Sequence, residues 1–336
     1  MTPSIANTGA ERGAAPASRD DRRLALWTAM LRVGLLGIIV VLFIVFSITA
    51  QGFLSAQNIE NNARQMAVVG ILAIGETFVI ITAGIDLSVG SLLGFGGILA
   101  AISLSNDLPI SLTIAFVLAA GLAVGLLNGA LIRYGALPPF IVTLGMLGIL
   151  RGLTQILGNG QQVAFDVPRF VNFASDSFLR VPNLFWILLA AGIVCGIFLQ
   201  FTRRGRYAYA VGSNVESARR AGVNVGATLL TVYAISGVLA ALGGLLITAR
   251  QGQGDPNAGT GYELDAIAAA VLGGASLFGA RGTIAGTFLG VLLVQIMTNG
   301  LNLLNFDPQV ARMLEGALII AFVFADQHRK RLAAAA

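Results

Sequence analysis

The chain has 336 residues, of which 56% are hydrophobic and only 11% are charged. A typical soluble domain carries about 25% charged residues, so 21 basic and 16 acidic side chains cannot coat a water-exposed surface of this size. We therefore exclude a water-soluble enzyme and expect lipid to cover most of the exterior. The single Cys and the single His argue against a disulfide, a cysteine metal cluster and histidine-based catalysis, and we predict no catalytic and no metal site.

Residues 1–25 are rich in Ala, Ser, Pro and Arg and are predicted to be a disordered cytoplasmic tail. Ten apolar runs follow, most of them near the 20 or so residues that a spanning helix needs. The run that begins with Glu263 and Asp265 is short, so we predict a half-helix or re-entrant element there. The predicted segments are 29–50, 64–83, 88–106, 110–132, 138–157, 183–201, 227–249, 263–278, 282–302 and 310–326.

These segments define the predicted fold class, an all-α integral membrane protein with about ten transmembrane helices over 26–327. An even number of spans puts both termini on one side, and residues 328–336 form a second tail. With that side cytoplasmic, fourteen of the 21 basic residues lie in inner loops or tails, as the positive-inside rule requires. The basic residues therefore orient the protein, which accounts for the net charge of +5, and we predict no nucleic-acid partner.

Glycine accounts for 42 residues, and many glycines are four residues apart, as in 121, 125 and 129 or in 282, 286 and 290. This spacing lines one helix face with small residues and predicts close helix packing.

The first informative motif is 82–91, TAGIDLSVGS, at a predicted inner turn between two spans. Gly84 permits an unusual backbone angle there, and Gly90 with Gly94 is placed for helix packing. Asp86 or Ser88 can accept hydrogen bonds from the free N–H groups that begin the next helix. Proton carriage by Asp86 is the alternative to this capping role.

The second motif lies in the predicted cytoplasmic loop 202–226. Ser213 and Glu216 have the spacing of a capping box, and Gly222 is placed to end a short helix over 213–222. Since a helix of about two turns is unstable alone in water, it must dock on lipid, on this chain's own helix ends or on a cytoplasmic partner. The Glu-x-Ala-x-x-x-Gly spacing favours a partner. The predicted contact residues are Ser213, Asn214, Glu216, Ser217, Ala218, Arg219, Arg220 and Gly222.

The third motif, 259–282, places Glu263 and Asp265 at the N-terminal, partially positive end of a short helix near the outer mouth. Charge matching at the helix end and a gating or pathway role are both open.

A solute path needs polar groups that face inward. Amides at i, i+4 and i+7 share a helix face and can bind hydroxyl groups without trapping a charged ligand, which suits a sugar. Hydrogen bonding between helices is the alternative for each. The candidates are Glu76, Arg151, Gln155, Asn159, Glu263, Asp265, Gln295, Asn299 and Asn302.

Five stretches closely resemble the ribose/xylose/arabinose/galactose class of ABC-transporter permeases, in register over roughly 60–326. They are GIDLSVGS (84–91), TLGMLGILRGL (143–153), RRGRYAYAVGSNVESARRAGV (203–223), GTGYELDAIAAAVLGGASLFGARGT (259–283) and TNGLNLL (298–304). Two departures are Arg281, where the family commonly has Lys, and the local stretch 305–310, which puts the outer mouth and solute choice in doubt.

The resemblance implies an ABC importer permease fold in the bacterial inner (plasma) membrane. It implies a homodimer or a pair of similar permeases, two cytoplasmic subunits that use ATP and Mg²⁺, and an extracytoplasmic sugar-binding protein. It also implies that 213–222 is the coupling helix that docks in the ATPase groove.

A phosphate-binding loop needs a Lys followed by Ser or Thr, but the only Lys, Lys330, precedes Arg331. ATP hydrolysis therefore falls to a partner, and we predict that this chain binds no cofactor. The predicted function is the permease subunit of a monosaccharide importer for a ribose-like pentose or related sugar. The alternative is an ion-coupled secondary transporter with Glu76 or Asp86 as proton carrier, although the lone His328 lies outside the spans. No predicted span holds the cluster of catalytic groups that an intramembrane enzyme needs.

Overall fold

The computed structural model describes the backbone of residues 19–335, and the side chains of 34–324 and of Gln327. Within this part the chain is a bundle of helices joined by short loops. The helices are α1 (Arg19–Thr49), α2 (Ala56–Ile81), α3 (Val89–Ser105), α4 (Ile110–Arg133), α5 (Pro139–Leu157), α6 (Pro168–Ser175), α7 (Asn183–Phe201), α8 (Arg203–Ser213), α9 (Val215–Arg220), α10 (Val225–Gln251), α11 (Tyr262–Leu272), α12 (Ile284–Leu303) and α13 (Pro308–Ala335).

Four two-residue strands complete the structure. The strand β1 (Val163–Ala164) pairs antiparallel with β4 (Gln253–Gly254), and β2 (Ser177–Phe178) pairs antiparallel with β3 (Val181–Pro182). The first pair fastens the 158–182 loop to the chain that follows α10.

Each of the ten predicted segments contains a helix, so the prediction of a helical membrane protein is confirmed. Six of the described helices are long and apolar enough to cross a membrane, namely α2, α4, α5, α7, α10 and α12, while 34–49 and α3 are shorter apolar helices. The figure of ten crossings stays a prediction. Helix α1 begins inside the predicted tail 1–25, and residues 1–18 of that tail lie outside the described residues. Helix α13 continues through most of the predicted tail 328–336.

Helices α2 and α10 form the centre of the bundle. Their apolar side chains, such as Ile71, Leu72 and Phe78, are completely buried, and Tyr233 of α10 packs among them. By contrast α4, α5 and α7 each bury less than a third of their apolar length. Their exposed leucine, isoleucine and phenylalanine side chains are the surface that lipid or another membrane helix covers.

Glycine packing holds the helices together where it was predicted. A Cβ atom at Gly121 of α4 would lie 2.5 Å from the carbonyl oxygen of Gly237 in α10, and one at Gly125 would overlap the main chain of Tyr233. On the other side of the bundle, a Cβ atom at Gly290 of α12 would overlap the carbonyl of Ala269 in α11. The helices therefore touch backbone to backbone, which maximises van der Waals contact in a lipid environment.

One predicted span is broken, as the short run 263–278 indicated. After α10, residues 252–261 run as non-helical chain beside α3, with Gly254 against Ala101 and Gly259 against Gly90. The 11-residue helix α11 follows, and at 1.5 Å per residue it is only about 16 Å long. It ends at Leu272, before the predicted 278, because the chain turns at Gly273 and at Gly274, whose φ is +96°.

Candidate coupling surface and transport path

The three sequence motifs meet at one end of the bundle, which we call the α9 end. The hydroxyl group of Tyr209 in α8 donates to the carbonyl oxygen of Gly282 over 2.8 Å, and burial raises the pKa of Tyr209, which keeps that hydroxyl a donor. The main-chain nitrogen of Ala280 donates to the carbonyl oxygen of Ile81, at the end of α2, over 2.8 Å. Gly212 packs into this junction without room for a side chain. Helix α8 is therefore in direct contact with the end of α2 and with the 279–282 turn.

The short helix α9 has well-defined ends. Its cap is Asn214, whose side-chain oxygen accepts a hydrogen bond from the main-chain nitrogen of Ser217 over 2.8 Å. The predicted capping box that begins at Ser213 is therefore wrong by one residue, since Ser213 is the last residue of α8 and the extended backbone needed for a cap occurs at Asn214. The predicted stop at Gly222 is confirmed: its φ is +80°, and the nitrogen of Val223 reaches back to the carbonyl oxygen of Ala218 over 3.0 Å.

Helix α9 docks on its own chain by one face and is open on the other. Ala218 is buried against Val211 of α8 and Val225 of α10. On the open face Val215 is 45% exposed, and Glu216 forms ion pairs with two arginines, Arg219 at 3.1 Å and Arg220 at 3.4 Å. Exposed ion pairs of this kind add little stability. The open face of α9 therefore consists of an exposed apolar side chain, Val215, beside the charged side chains of Glu216, Arg219 and Arg220.

The 82–88 turn differs from the sequence prediction in one detail. The left-handed residue is Ala83, with a φ of +61°, and not Gly84. Gly84 is needed for a different reason, since a Cβ atom there would lie 2.6 Å from the hydroxyl oxygen of Tyr233. The sequence showed that a glycine was required but not which contact required it.

Asp86 is buried and joins several elements through hydrogen bonds, so it does more than cap a helix. We call the group of Asp86, Ser88, Asn128 and Ser236 the Asp86 hub. Its Oδ1 atom accepts hydrogen bonds from the main-chain nitrogen of Ser88 at 3.0 Å and from the Ser88 hydroxyl at 2.5 Å. Its Oδ2 atom accepts from the hydroxyl of Ser236 in α10 at 3.0 Å, and Asn128 of α4 donates to the Ser88 oxygen at 3.0 Å. Ser88 itself makes no side-chain capping bond to α3. The hub joins α3, α4 and α10. Asn128 and Ser236 could not be predicted as its members, because each is a lone polar residue within an apolar stretch of its helix.

Glu76 lies next to this hub in α2 and is completely buried. Neither of its carboxyl oxygens has a hydrogen-bond partner, and the same is true of the Tyr233 hydroxyl. Among the described residues no group of His, Cys, Asp and Glu side chains is arranged to hold a metal ion. The carboxyl group of Glu76 therefore lies in the core of the bundle.

The amide stripe on α12 connects helices. The side chain of Gln295 donates to Asn62 over 2.8 Å, and Asn299 exchanges two hydrogen bonds with Asn58 over 2.9 and 3.0 Å. The helix–helix alternative is therefore the one that the structure supports for Gln295 and Asn299. Asn302 is exposed in the last turn of α12.

Of the candidates Arg151, Gln155 and Asn159, the first two lie on α5 and the third lies beyond its end. Arg151 donates to the carbonyl oxygens of Pro256 at 3.1 Å and Ala258 at 2.9 Å, and Gln155 donates to the side chain of Asn257 at 2.8 Å. Asn159 does not share their face, because α5 ends at Leu157 and Asn159 has a φ of +49° in the following turn. Arg151 and Gln155 thus support the non-helical part of the broken span, and Asn257 escaped sequence reasoning because it belongs to no helical pattern.

Glu263 lies beside the first turn of α3. Its carboxyl group packs directly against Gly90, where a Cβ atom would overlap it. Gly90 is fifteen residues from Ser105, the far end of α3, which is about 22 Å along a helix. Its Oε2 atom is buried without a partner. Asp265, in the same first turn of α11, lies beside Glu315 of α13.

Comparison with known proteins identifies the family. A family model described as "Branched-chain amino acid transport system / permease component" matches residues 58–323. The ribose import permease protein RbsC of Haemophilus influenzae is 38% identical over 294 residues, covering 86% of this chain and 91% of the relative. The L-arabinose ABC transporter permease protein AraH of Azospirillum brasilense is 33% identical over 330 residues, covering 98% and 96%. The xylose transport system permease protein XylH of Haemophilus influenzae is 35% identical over 356 aligned positions, covering 87% and 95%. No solved structure matches the chain. The chain therefore belongs to the family of membrane permeases of ABC transporters that includes the ribose, arabinose and xylose permeases.

Proposed function

We propose that this chain is the membrane-spanning subunit of an ABC importer and forms the path for a monosaccharide of the ribose, arabinose or xylose type. The observation that carries the proposal is helix α9, which is capped at both ends, docked through Ala218 and open to a partner on its other face. The printed functions of the relatives support the substrate class, and the excess of basic residues around α9 supports a cytoplasmic α9 end.

Partner subunits supply the energy in this proposal, because the sequence has no Lys in a phosphate-binding loop. Two cytoplasmic ATPase subunits would grip the open face of α9, and their closure would move α8. The Tyr209–Gly282 and Ala280–Ile81 hydrogen bonds then carry that movement into α2, and the Asp86 hub extends it to α3, α4 and α10. Packed elements of this kind switch between discrete arrangements. ATP and Mg²⁺ are bound by the partners and not by this chain.

A second permease copy and an extracytoplasmic sugar-binding protein complete the proposed assembly. The exposed side of α5 carries Gly145, Gly148 and Gly152, and a Cβ atom at any of the three would meet nothing within 4 Å. The glycines buried inside the bundle touch neighbouring helices, whereas these three leave room for the close approach of a helix from a second copy.

The role of α9 is tested by protection from a thiol reagent. Val215→Cys, made in a Cys195→Ala background, is labelled with a water-soluble maleimide before and after assembly with the cognate ATPase subunits. We expect at least tenfold slower labelling in the assembled complex. The matched control is Phe178→Cys, which is similarly exposed but lies in the 158–182 loop, and its labelling should not change. Equal labelling of Val215→Cys with and without the ATPase subunits would overturn the proposal.

A further inference from the structure

The non-helical stretch 255–260 packs along α3 and exposes two polar side chains. The carbonyl of Ala258 lies against Gly94, and Gly259 lies against Gly90, which are about 16 and 22 Å from the far end of α3 at 1.5 Å per residue. The neighbouring side chains of Asn257 and Thr260 are nevertheless exposed, and Asn257 contacts Gln155 in the last turn of α5. Hydrocarbon does not tolerate irregular backbone or exposed amides, so such a segment lines either protein or water.

The main chain of this stretch is already satisfied by the protein. Arg151 donates to the carbonyl oxygens of Pro256 and Ala258. The carboxyl group of Asp255 accepts from the nitrogen of Asn257 at 2.8 Å, and the hydroxyl of Thr260 donates to the carbonyl of Asn257 at 2.8 Å. These bonds fix the backbone in one conformation, which leaves the side chain of Asn257 directed away from it, toward α5.

The Asn257 side chain bonds Gln155, and each of the two amides keeps a polar atom that makes no bond in this pair. Gln155 Nε2 donates to Asn257 Oδ1 at 2.8 Å. The remaining atoms are Asn257 Nδ2, a donor, and Gln155 Oε1, an acceptor, and neither bonds another residue within the described part of the chain. A hydroxyl group both accepts and donates one hydrogen bond, so it complements this pair. Asn257 is exposed and Gln155 is half-buried, so the pair can be reached from outside the chain.

We propose that Asn257 and Gln155 form a hydroxyl-binding pair in the wall of a water-filled transport path, and that Arg151 is the positioning residue that holds Asn257 there. The inference rests on the proposed function for the identity of the solute, a polyhydroxylated monosaccharide. The inference that water reaches Asn257 does not depend on the proposed function.

Water access is tested first, by cysteine labelling in the assembled transporter in membranes. Asn257→Cys in the Cys195→Ala background should react with a cationic, water-soluble methanethiosulfonate at least tenfold faster than Val194→Cys. Val194 on α7 is 66% exposed and apolar, so it serves as the lipid-facing control. Labelling of Asn257→Cys as slow as that of Val194→Cys would overturn the proposal, whatever the transporter carries.

Hydroxyl binding is tested by ATP-driven uptake of D-ribose, L-arabinose and D-xylose in proteoliposomes. We expect Asn257→Leu and Gln155→Leu each to lower uptake per folded molecule about tenfold, and Asn257→Ser, which keeps a donor, to recover most of the loss. Wild-type uptake in either leucine variant would overturn the hydroxyl-binding role. If the wild-type protein carried none of the three sugars while Asn257→Cys was labelled rapidly, the proposed substrate class would fail and the aqueous path would stand.

Discussion

Replacement of Gly212 by alanine tests the junction that links α8 to α2. A Cβ atom there would overlap the carbonyl oxygen of Ile81 and lie 2.8 Å from the nitrogen of Ala280. Ordinary contact begins near 3.4 Å, so the chains must separate by about 0.6 Å at Ala280 and by more at Ile81. That separation weakens the hydrogen bond between these two residues, worth about 0.5–1.5 kcal/mol, and adds about 1–3 kcal/mol of overpacking. The gain in helix propensity, about 1 kcal/mol, offsets part of this.

We therefore expect Gly212→Ala to lower the free energy of unfolding in detergent by about 1–3 kcal/mol and to lower the number of sugar molecules transported per ATP hydrolysed. Gly196→Ala in α7 is the matched control, because its Cβ atom would meet only Ile284 at an ordinary 3.9 Å. The assays are denaturant unfolding of the purified chain and parallel measurements of uptake and ATP hydrolysis in proteoliposomes. A Gly212→Ala protein with wild-type stability and wild-type coupling would refute the reasoning.

Three further substitutions separate structural roles from transport roles. Glu76→Gln should retain ATP-driven uptake and wild-type stability, because no side chain is bonded to the carboxyl group and the amide keeps an oxygen that can face the main-chain N–H of Asp86; abolished uptake in a folded protein would favour a proton-carrying role instead. Asn299→Leu removes both hydrogen bonds to Asn58 and should lower stability by about 1–3 kcal/mol, while uptake per folded molecule, measured in proteoliposomes, stays unchanged. Arg151→Met leaves the carbonyl oxygens of Pro256 and Ala258 without hydrogen bonds, at a cost of about 1–3 kcal/mol each. We therefore expect a lower melting temperature, and a melting temperature equal to that of the wild type would contradict the role of Arg151 in holding this stretch.

The helices could be predicted because hydrophobicity and length are read residue by residue along the chain. The helices in the ten predicted segments follow from long apolar runs. The short helix α11 follows from the short run at 263–278, which begins with Glu263 and Asp265. The end of α9 at Gly222 could be predicted as well, because a glycine in the left-handed conformation commonly ends a helix.

Contacts between distant parts of the chain could not be predicted in this way. The polar stripe on α12 was a correct pattern, but the residues that complete it, Asn58 and Asn62, lie more than 200 positions earlier. A helical pattern shows that a face is polar and does not show whether another helix or water meets it. The same limit applied to Asn257, which lies in a stretch without periodicity and becomes notable only when its contact with Gln155 is known.

The central claim is that this chain is a passive path whose movement is driven through α9 by ATP-hydrolysing partners. Its most direct test is sugar uptake by sealed proteoliposomes that contain the purified chain alone or the chain assembled with its ATPase subunits and binding protein. The account predicts concentrative uptake only in the assembled system, only with ATP, and with no effect of an uncoupler. Concentrative uptake by the chain alone would contradict it.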